Sequence, residues 1–193
     1  MDLNERYALI VIDVQNGFEA AGWPPRNNPA CEANVSRLIA EWRERGRPVV
    51  FVKHSSRKPG SPLASGSPGH EFKPAITGEP DLLIEKQVHS AFYGQPDLDG
   101  WLRSREMEGV VVIGIATDHC CETTARMAGD LGYRVLFPLD ATHTFDRTGP
   151  DGNIVAADDV AARTAASLHN EFAEVTTTEK VLTASRKAGA GGR

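Results

Sequence analysis

The sequence predicts an α/β fold, a Rossmann-like three-layer α/β/α sandwich around a six-stranded, mainly parallel sheet. Strand-like and helix-like segments alternate along the chain, and this order is typical of parallel sheets with helices on both faces. The longest strand-like runs are apolar at almost every position, as expected when both faces of a sheet are covered. A chain of 193 residues, 40% hydrophobic and 24% charged, has the size and composition of one globular domain.

Six apolar runs are predicted to form the strands. In chain order they are residues 7–13, 48–52, 82–86, 109–115, 133–137 and 175–177. Most of these runs are short and rich in β-branched residues, which favours strands over helices. The fourth run, Gly109-Val-Val-Val-Ile-Gly-Ile115, is the most hydrophobic.

Four segments are predicted to form helices, at residues 30–45, 98–105, 117–131 and 156–173. In the first of them, apolar residues from Val35 to Trp42 recur at helical spacing, and Gly46 is typical of the residue that ends a helix. Residues 55–80 are rich in Pro, Gly and Ser, and so long an irregular stretch is usually functional or mobile. We therefore expect one domain over residues 1–187, followed by a Gly/Ala-rich disordered tail at 188–193.

Composition excludes several classes of protein. The net charge of −5 and the lack of a basic run argue against a nucleic-acid partner. No apolar stretch is long enough to span a bilayer, so no membrane partner is expected, and the charged start argues against a signal peptide. Cys31, Cys120 and Cys121 are too few for a disulfide framework. We therefore expect a cytoplasmic location.

Three reactive residue types follow predicted strands. Asp13 ends the first strand, Lys86 the third, and Cys120 lies where the fourth strand turns into a helix. Ligand sites of doubly wound sheets lie beyond the carboxyl ends of the strands, so these side chains are expected at one rim. An acid, a lysine and a thiol brought together there would form a catalytic constellation.

Each of these residues also has an alternative interpretation. Asp13 could be a turn former, Lys86 a solvated surface lysine, and Cys120 a small buried hydrophobe. At a helix start, however, free N–H groups and the helix dipole would lower the pKa of the Cys120 thiol and stabilise an oxyanion. We expect Cys121, one residue further on, to face the sheet and to be inert.

Candidate substrate contacts come from residues near the same rim. Phe18 and Phe92 could wall a small apolar pocket or simply cap the core, and His54 could face the pocket from the second strand. Thr117 could contact substrate or cap the helix that carries Cys120. His89 is interpreted as a loop or surface residue. No histidine pair has the spacing of metal ligands on a single element, so no metal site is predicted.

Three segments resemble the isochorismatase-like hydrolases, a family that includes nicotinamidase. They are Ile12-Asp-Val-Gln-Asn-Gly-Phe18, Lys86-Gln-Val-His-Ser-Ala-Phe92 and Gly114-Ile-Ala-Thr-Asp-His-Cys-Cys-Glu-Thr-Thr-Ala-Arg126. Their order and spacing match the family over most of the chain. The resemblance implies a catalytic triad of Asp13, Lys86 and Cys120. It also implies a cis peptide between Ile115 and Ala116, with the N–H groups of Ala116 and Cys120 forming an oxyanion hole.

The chain departs from the metal-dependent members of this family. Nicotinamidases carry an Asp-x-His pair after the second strand, where this sequence reads Lys53-His-Ser-Ser56. We therefore expect no metal and no cofactor. Isochorismatases that cleave a vinyl ether lack the cysteine, so Cys120 favours the amide-cleaving members.

The function predicted is hydrolysis of a C–N amide bond in a small molecule, carboxamide, ureido or lactam, through a thioester on Cys120. A vinyl-ether hydrolase and a non-catalytic small-molecule-binding protein on the same fold are the alternatives. A dinucleotide-dependent oxidoreductase is disfavoured because no Gly-x-Gly-x-x-Gly follows the first strand. Because residues 55–80 would leave the site poorly covered in a monomer, a homodimer or homotetramer is expected.

Overall fold

A computed structural model of the protein describes residues 3–190. Seven strands within these residues form a central parallel sheet: β1 (Tyr7–Ile12), β2 (Val49–His54), β3 (Leu82–Lys86), β4 (Gly109–Ile115), β5 (Arg134–Pro138), β6 (Thr142–His143) and β9 (Glu174–Thr176). Across the sheet the order is β3-β2-β1-β4-β5-β9, and the short β6 also pairs with β4. A separate antiparallel hairpin joins β7 (Arg147–Thr148) to β8 (Ile154–Val155).

The prediction of an α/β fold with a parallel sheet is confirmed, but the strand count of six is one too low. The additional strand, β6, has two residues and pairs with Gly114 and Ile115. Strand β5 pairs only with residues 109–111 of β4. Beyond them, β6 takes the place of β5 beside β4 and so extends the sheet. Two residues carry no detectable periodicity, so the sequence pattern could not show this strand.

Five α-helices cover the sheet. They are α1 (Cys31–Glu44), α2 (Leu98–Ser104), α3 (Glu122–Asp130), α4 (Ala157–Leu168) and α5 (Thr178–Ala190). The helix predicted from residue 117 begins instead as a wider π-type turn over Thr117–Cys121, and α3 follows it. The sequence analysis missed α5, which runs into the expected tail. Residues 188–190 are helical rather than disordered, and residues 191–193 lie outside the described part of the chain.

Two apolar layers pack against the two faces of the sheet. Leu9 and Val11 of β1 face the layer under α1 and α5, whereas Ile10 and Ile12 face the layer under α2 and α3. This alternation follows from the two-residue period of a strand. Trp42 of α1 is fully buried, and its indole N–H donates to the Tyr7 carbonyl at 3.0 Å. Within residues 3–190, no helix combines the length and the hydrophobicity that crossing a membrane requires.

The carboxyl end of β4 passes very close to β1. Gly114 has a φ of +125°, and a Cβ atom built on it would lie 2.0 Å from the Ile12 carbonyl oxygen. Only glycine allows both this conformation and this approach. The close contact brings the strand ends that carry Asp13 and the Cys120 turn next to each other.

Replacing Gly114 is therefore expected to destabilise the protein severely. We expect Gly114→Ala to lower the free energy of unfolding by at least about 3 kcal/mol, because the backbone oxygen of Ile12 cannot move aside. Gly46→Ala is the matched control: Gly46 also has a positive φ, of +64°, but its Cβ would meet open space. Its cost should be about 1–2 kcal/mol. Urea unfolding of the two variants measures the difference, and equal losses would contradict the role of the close approach.

Candidate active site

Asp13 and Lys86 form a buried ion pair at the ends of β1 and β3. Lys86 Nζ donates to Asp13 Oδ2 at 2.6 Å, and neither side chain is exposed to solvent. Asp13 adopts a left-handed backbone with a φ of +50°, and its N–H donates to the Val52 carbonyl at 2.9 Å. Asp tolerates this conformation better than most residues do. The structure thus brings together two of the residues predicted from strand ends.

Cys120 reaches the same point from β4. The peptide between Ile115 and Ala116 is cis, as the resemblance implied, and the π-type turn follows directly. The Ala116 carbonyl accepts hydrogen bonds from the N–H groups of His119 at 3.1 Å and Cys121 at 3.2 Å. Cys121 is fully buried in the apolar layer with Ala125 and Ala128, as predicted. Cys120 keeps a small exposed surface.

The reactive atoms lie within a few ångströms of one another. One side-chain atom from each of Asp13, His54 and Cys120 lies within 4.8 Å of the other two. Lys86 Nζ also lies 3.4 Å from Nδ1 of His54. Acid, ammonium, imidazole and thiol therefore share one small volume at the rim of the sheet, and the ends of β1, β2, β3 and β4 all contribute to it.

Burial and charge determine the protonation of these groups. Burial by itself would lower the pKa of Lys86, but attraction to Asp13 and Cys120 outweighs it and the pKa is raised. Burial, followed by the nearby Asp13 carboxylate, raises the pKa of the Cys120 thiol despite Lys86. The expectation that the helix start lowers this pKa is therefore wrong, because burial and the neighbouring carboxylate raise it. Burial and the Lys86 ammonium lower the pKa of His54.

His89 contacts the thiol, which the sequence analysis did not predict. Its Nδ1 lies 3.5 Å from Cys120 Sγ, and its ring lies 6.4 Å from that of His54 and 5.3 Å from that of His119. Three imidazoles therefore line the side of the site nearest to solvent. The available signal was the position of His89 three residues after Lys86, inside the segment that resembles the family.

A cavity of about 370 Å³ opens above Cys120. Phe18 and Trp23 form an aromatic wall, with ring centroids 5.1 Å apart, and the loop at residues 58–63 covers one side. His54, Ala116 and Cys120 also line the cavity. Phe18 and His54 are thus placed where substrate contacts were predicted. A larger depression of about 770 Å³ beside α5 is open, and the described residues that line it include no cysteine or histidine.

Two predicted substrate contacts do not line this cavity. After His89 the chain turns, and Phe92 packs into the layer under α2, with its ring 6.3 Å from that of Tyr133. The Ala91 N–H donates to Thr124 Oγ1 at 3.0 Å and anchors this turn to α3. Thr117 is fully buried, and its hydroxyl donates to Thr142 Oγ1 at 2.8 Å. Phe92 and Thr117, predicted as substrate contacts, therefore lie outside the lining of this cavity.

The residues at the centre do not fit a metal ion. Asp13, His54 and Cys120 are close enough to share one cation. However, Lys86 Nζ lies 2.6 Å from the Asp13 carboxylate and 3.4 Å from His54 Nδ1, so an ammonium already takes the place of the cation. A second positive charge there would be repelled. The geometry therefore supports the expectation of no metal at these residues.

The fold and this rim define a class: a doubly wound α/β protein with a buried Asp–Lys pair beside a cysteine. Comparison with known proteins is consistent with that class. The isochorismatase domain model matches residues 7–180. The isochorismatase family protein YrdC of Bacillus subtilis is 34% identical over 93% of this chain and 96% of its own. Nicotinamidase 3 of Arabidopsis thaliana is 35% identical over 72% of this chain and 74% of its own.

Other similar proteins give the same result. A ureidoacrylate amidohydrolase, RutB, from Methylobacterium radiotolerans is 31% identical over 74% of this chain and 68% of its own. A solved structure of an isochorismatase-family protein from Chromobacterium violaceum is 35% identical, with a TM-score of 0.90 over 97% of this chain and 98% of that one. The chain belongs to the isochorismatase family of hydrolases.

Cys120 is expected to be the thiol that reacts with small electrophiles. It opens onto the cavity, whereas Cys31 and Cys121 are fully buried. Iodoacetamide labelling of the native protein, followed by peptide mapping, should modify Cys120 first. Because burial raises its pKa, the labelling rate should still be rising above about pH 9, where an ordinary thiol reaches a plateau.

Labelling after denaturation is the control, and all three cysteines should then react. Faster labelling of Cys121 in the native protein would contradict the assignment of the reactive thiol. A Cys120 labelling rate that reaches its plateau at or below about pH 9 would contradict the raised pKa.

Proposed function

We propose that the protein is a cysteine-dependent amidohydrolase that cleaves a C–N bond of a small carboxamide, ureido compound or lactam. The observation that carries this proposal is the placement of the Asp13–Lys86 pair beside the Cys120 thiol beneath a small cavity. Similar proteins named nicotinamidase and ureidoacrylate amidohydrolase support amide cleavage. A similar solved structure from Pseudomonas syringae is named a cysteine hydrolase.

The first half-reaction forms a thioester. Asp13 accepts the Cys120 proton as the sulfur attacks the substrate carbonyl carbon, and the carbonyl electron pair moves to oxygen. The N–H groups of Ala116 and Cys120 stabilise that oxyanion. When the intermediate collapses, the C–N bond breaks and Asp13 donates its proton to the leaving nitrogen. The raised pKa of Cys120 is consistent with proton transfer during the attack rather than before it, because the thiol stays neutral until the substrate binds.

The second half-reaction hydrolyses the thioester. Asp13 accepts a proton from water as the water oxygen attacks the thioester carbonyl. The C–S bond then breaks, and the Cys120 sulfur takes the proton back from Asp13. Lys86 holds the Asp13 carboxylate in place by its hydrogen bond, and its fixed positive charge balances the negative charge that develops during each attack.

The cavity walls hold the substrate against the sulfur. Phe18 and Trp23 provide a flat apolar surface suited to a planar amide or a small ring. His54 is held at the end of β2, because Gln15 accepts a hydrogen bond from its N–H and donates one to its carbonyl. The lowered pKa of its imidazole keeps it neutral, so it can hydrogen-bond a polar substrate without adding charge.

Activity assays on variants of Asp13 and Lys86 test this proposed function. The assay measures ammonia release from nicotinamide, ureidoacrylate and a panel of small primary carboxamides and ureido compounds, and for lactams it measures the ring-opened amino acid by mass spectrometry. Intact mass reports an acyl group on Cys120. Asp13→Asn should reduce turnover by about 100-fold or more, because no group remains to move the protons. Lys86→Met should slow turnover, because the carboxylate loses its ion-pair partner and the developing negative charge loses a fixed positive charge.

Matched surface variants control for charge alone. Asp99→Asn and Lys180→Met remove one charge each from residues outside the cavity and should leave turnover unchanged. The double variant of Asp13 and Lys86 should lose little more than Asp13→Asn, since both residues act on one proton transfer. Wild-type rates with Lys86→Met would remove Lys86 from the mechanism. Turnover by Cys120→Ala, or failure of every amide to acylate Cys120, would overturn the proposed function.

We also propose that the protein is a homodimer or homotetramer in the cytoplasm. The three cysteines are free thiols, as expected in a reducing compartment. Leu83, Val88 and Tyr93 lie on β3 and the turns after it, at one edge of the sheet, with exposed fractions of 43%, 42% and 70%. Such a concentration of exposed apolar side chains favours an interface.

Light scattering should therefore give a mass of two or four chains at micromolar concentration. Tyr93→Glu should shift this mass toward that of one chain, because it would bury a charge in the interface. Ile154→Glu is the control, since Ile154 is similarly exposed but lies on the separate hairpin. A monomer in the wild-type protein would contradict the proposal.

A further inference from the structure

The Cys120 thiol has one proton and two neighbours that could accept it. One is the Asp13 carboxylate, which has an oxygen within 4.8 Å of the sulfur. The other is the His89 ring, whose Nδ1 lies 3.5 Å from the sulfur, within hydrogen-bonding distance. Because a thiol donates only one hydrogen bond, the second contact must be of a different kind.

The carboxylate is the stronger acceptor of the two. Lys86 donates to Oδ2 of Asp13, but Oδ1 is buried and accepts no hydrogen bond from any residue that the structure describes. An unpaired buried oxygen is costly, and a hydrogen bond to a charged acceptor is about twice as strong as one between neutral groups. The thiol proton is therefore assigned to the Asp13 side, where the first half-reaction needs it.

With the proton on that side, the lone pairs of the sulfur face His89. An unprotonated Nδ1 would set its own lone pair against them at 3.5 Å, which is unfavourable, whereas a protonated Nδ1 would donate a hydrogen bond. Nε2 of the same ring has no hydrogen-bond partner among residues 3–190, so the sulfur is the contact that selects the tautomer.

We infer that His89 is a further catalytic residue, which donates a hydrogen bond from Nδ1 to the Cys120 sulfur. This bond stabilises the negative charge that the sulfur gains as its proton passes to Asp13, and again as the C–S bond of the thioester breaks. The hydrogen bond can be tested without a substrate, whereas its role in turnover rests on the proposed function.

The turn that carries His89 is fixed at both ends. Lys86 and Ala91 are only 1% and 0% exposed, so the backbone between them is anchored in the core. The His89 ring packs against the rings of His54 and His119, at 6.4 Å and 5.3 Å between centroids. The donor is thus oriented before a substrate binds, as an electrostatic contribution to catalysis requires.

Lys86 alone does not make the sulfur acidic. Its ammonium lowers the pKa of the Cys120 thiol, but burial and the Asp13 carboxylate raise that pKa by more. The ammonium is also shared, because it donates to Asp13 at 2.6 Å and lies 3.4 Å from Nδ1 of His54. A second donor, from His89, acts on the sulfur in the same direction as Lys86.

The other titratable groups on this side of the site do not replace that donor. Burial lowers the pKa of His54 and of His119, so both imidazoles are neutral at pH 8. Arg147, at the mouth of the cavity, donates to the two carboxylate oxygens of Asp118 at 2.8 Å and 2.9 Å. Within the described part of the chain, none of these four side chains is hydrogen-bonded to the sulfur, whereas His89 is.

Nitrogen-15 NMR of the imidazole rings tests the hydrogen bond directly. At pH 8 the His89 signals, identified by their loss in His89→Asn, should show a proton on Nδ1 and none on Nε2. In Cys120→Ala this preference should disappear, because the sulfur no longer selects the tautomer. A proton on Nε2 alone in the wild-type protein would overturn the inference. Protons on both nitrogens would also overturn it, since the imidazole would then hold the thiol proton.

The rate of Cys120 labelling by iodoacetamide at pH 8 provides a second measure. Loss of one hydrogen bond to the charged sulfur should raise the thiol pKa by about one unit, which lowers the thiolate fraction about tenfold. The remaining thiolate becomes about threefold more nucleophilic as its basicity rises. His89→Leu should therefore label about threefold more slowly than the wild type. His89→Asn places an amide N–H near the position of Nδ1 and should restore the rate.

Gln87→Leu is the matched control, because Gln87 is exposed on the same turn, and this variant should label at the wild-type rate. His89 is also exposed, so its variants should fold normally. A wild-type rate in His89→Leu would overturn the inference. Equal slowing in His89→Leu and His89→Asn would overturn it too, since a filled space rather than a donor would then be what matters.

Turnover is measured with the amides that acylate Cys120. His89→Leu should lower kcat and kcat/KM equally, by about tenfold, because the bond strengthens only when the sulfur gains charge. His89→Asn should recover most of this loss. A raised KM with an unchanged kcat would show that His89 binds the substrate instead, and would overturn the inference.

The two proposals fail in different ways. If the tautomer and the labelling rates are as expected but no amide acylates Cys120, the hydrogen bond is real and the proposed function fails. If His89→Leu hydrolyses amides at the wild-type rate, the amidohydrolase proposal stands and the inference about His89 fails.

Discussion

The ion pair between Asp13 and Lys86 is the interaction on which the site depends. The two residues end strands that are not neighbours, because β2 lies between β1 and β3 in the sheet. Lys86 is paired in register with His54 at the end of β2, and its ammonium passes the His54 ring to reach Asp13. Burying either charge alone would cost several kcal/mol, so each makes the burial of the other possible. The pair thereby joins three strand ends and places an ionised carboxylate beside a thiol.

The rest of the rim is built so that this pair stays dry and accessible from one side only. Residues 55–80 are irregular in secondary structure, but several bonds hold them in place. Gln15, two residues after Asp13, donates to the His70 carbonyl at 2.9 Å, and the Ser55 hydroxyl contacts the His70 ring at 2.8 Å. Lys73 donates to Glu32 of α1 at 2.6 Å. Burial alone would raise the pKa of this half-buried carboxyl, but the bonds from Arg26 and Lys73 lower it to about 2. The long loop is thus attached to the same strand end that carries Asp13.

The cavity divides into two chemically different sides. Aromatic rings lie on one side and imidazoles on the other. Under the proposed function, the thiol at the base reacts with a carbonyl carbon, and the side chains of the walls hold the rest of the molecule. Reaction type and substrate selection would then depend on separate sets of residues, a separation that is common where one fold serves many substrates.

The sequence alone determined the alternation of strands and helices and the rim at which Asp13, Lys86 and Cys120 meet. Both follow from local pattern, because apolar runs mark parallel strands and the carboxyl ends of parallel strands share one edge. The tertiary structure decided which neighbouring side chains point into the cavity. His89 and Phe92 lie three residues apart in one turn, yet one contacts the thiol and the other packs beneath α2. Arg147 lies far from Cys120 in the chain, and only the packing of the β7–β8 hairpin brings it to the mouth. Irregular turns have no fixed period, so the direction of each side chain depends on long-range contacts such as the bond from Ala91 to Thr124, which no local pattern encodes.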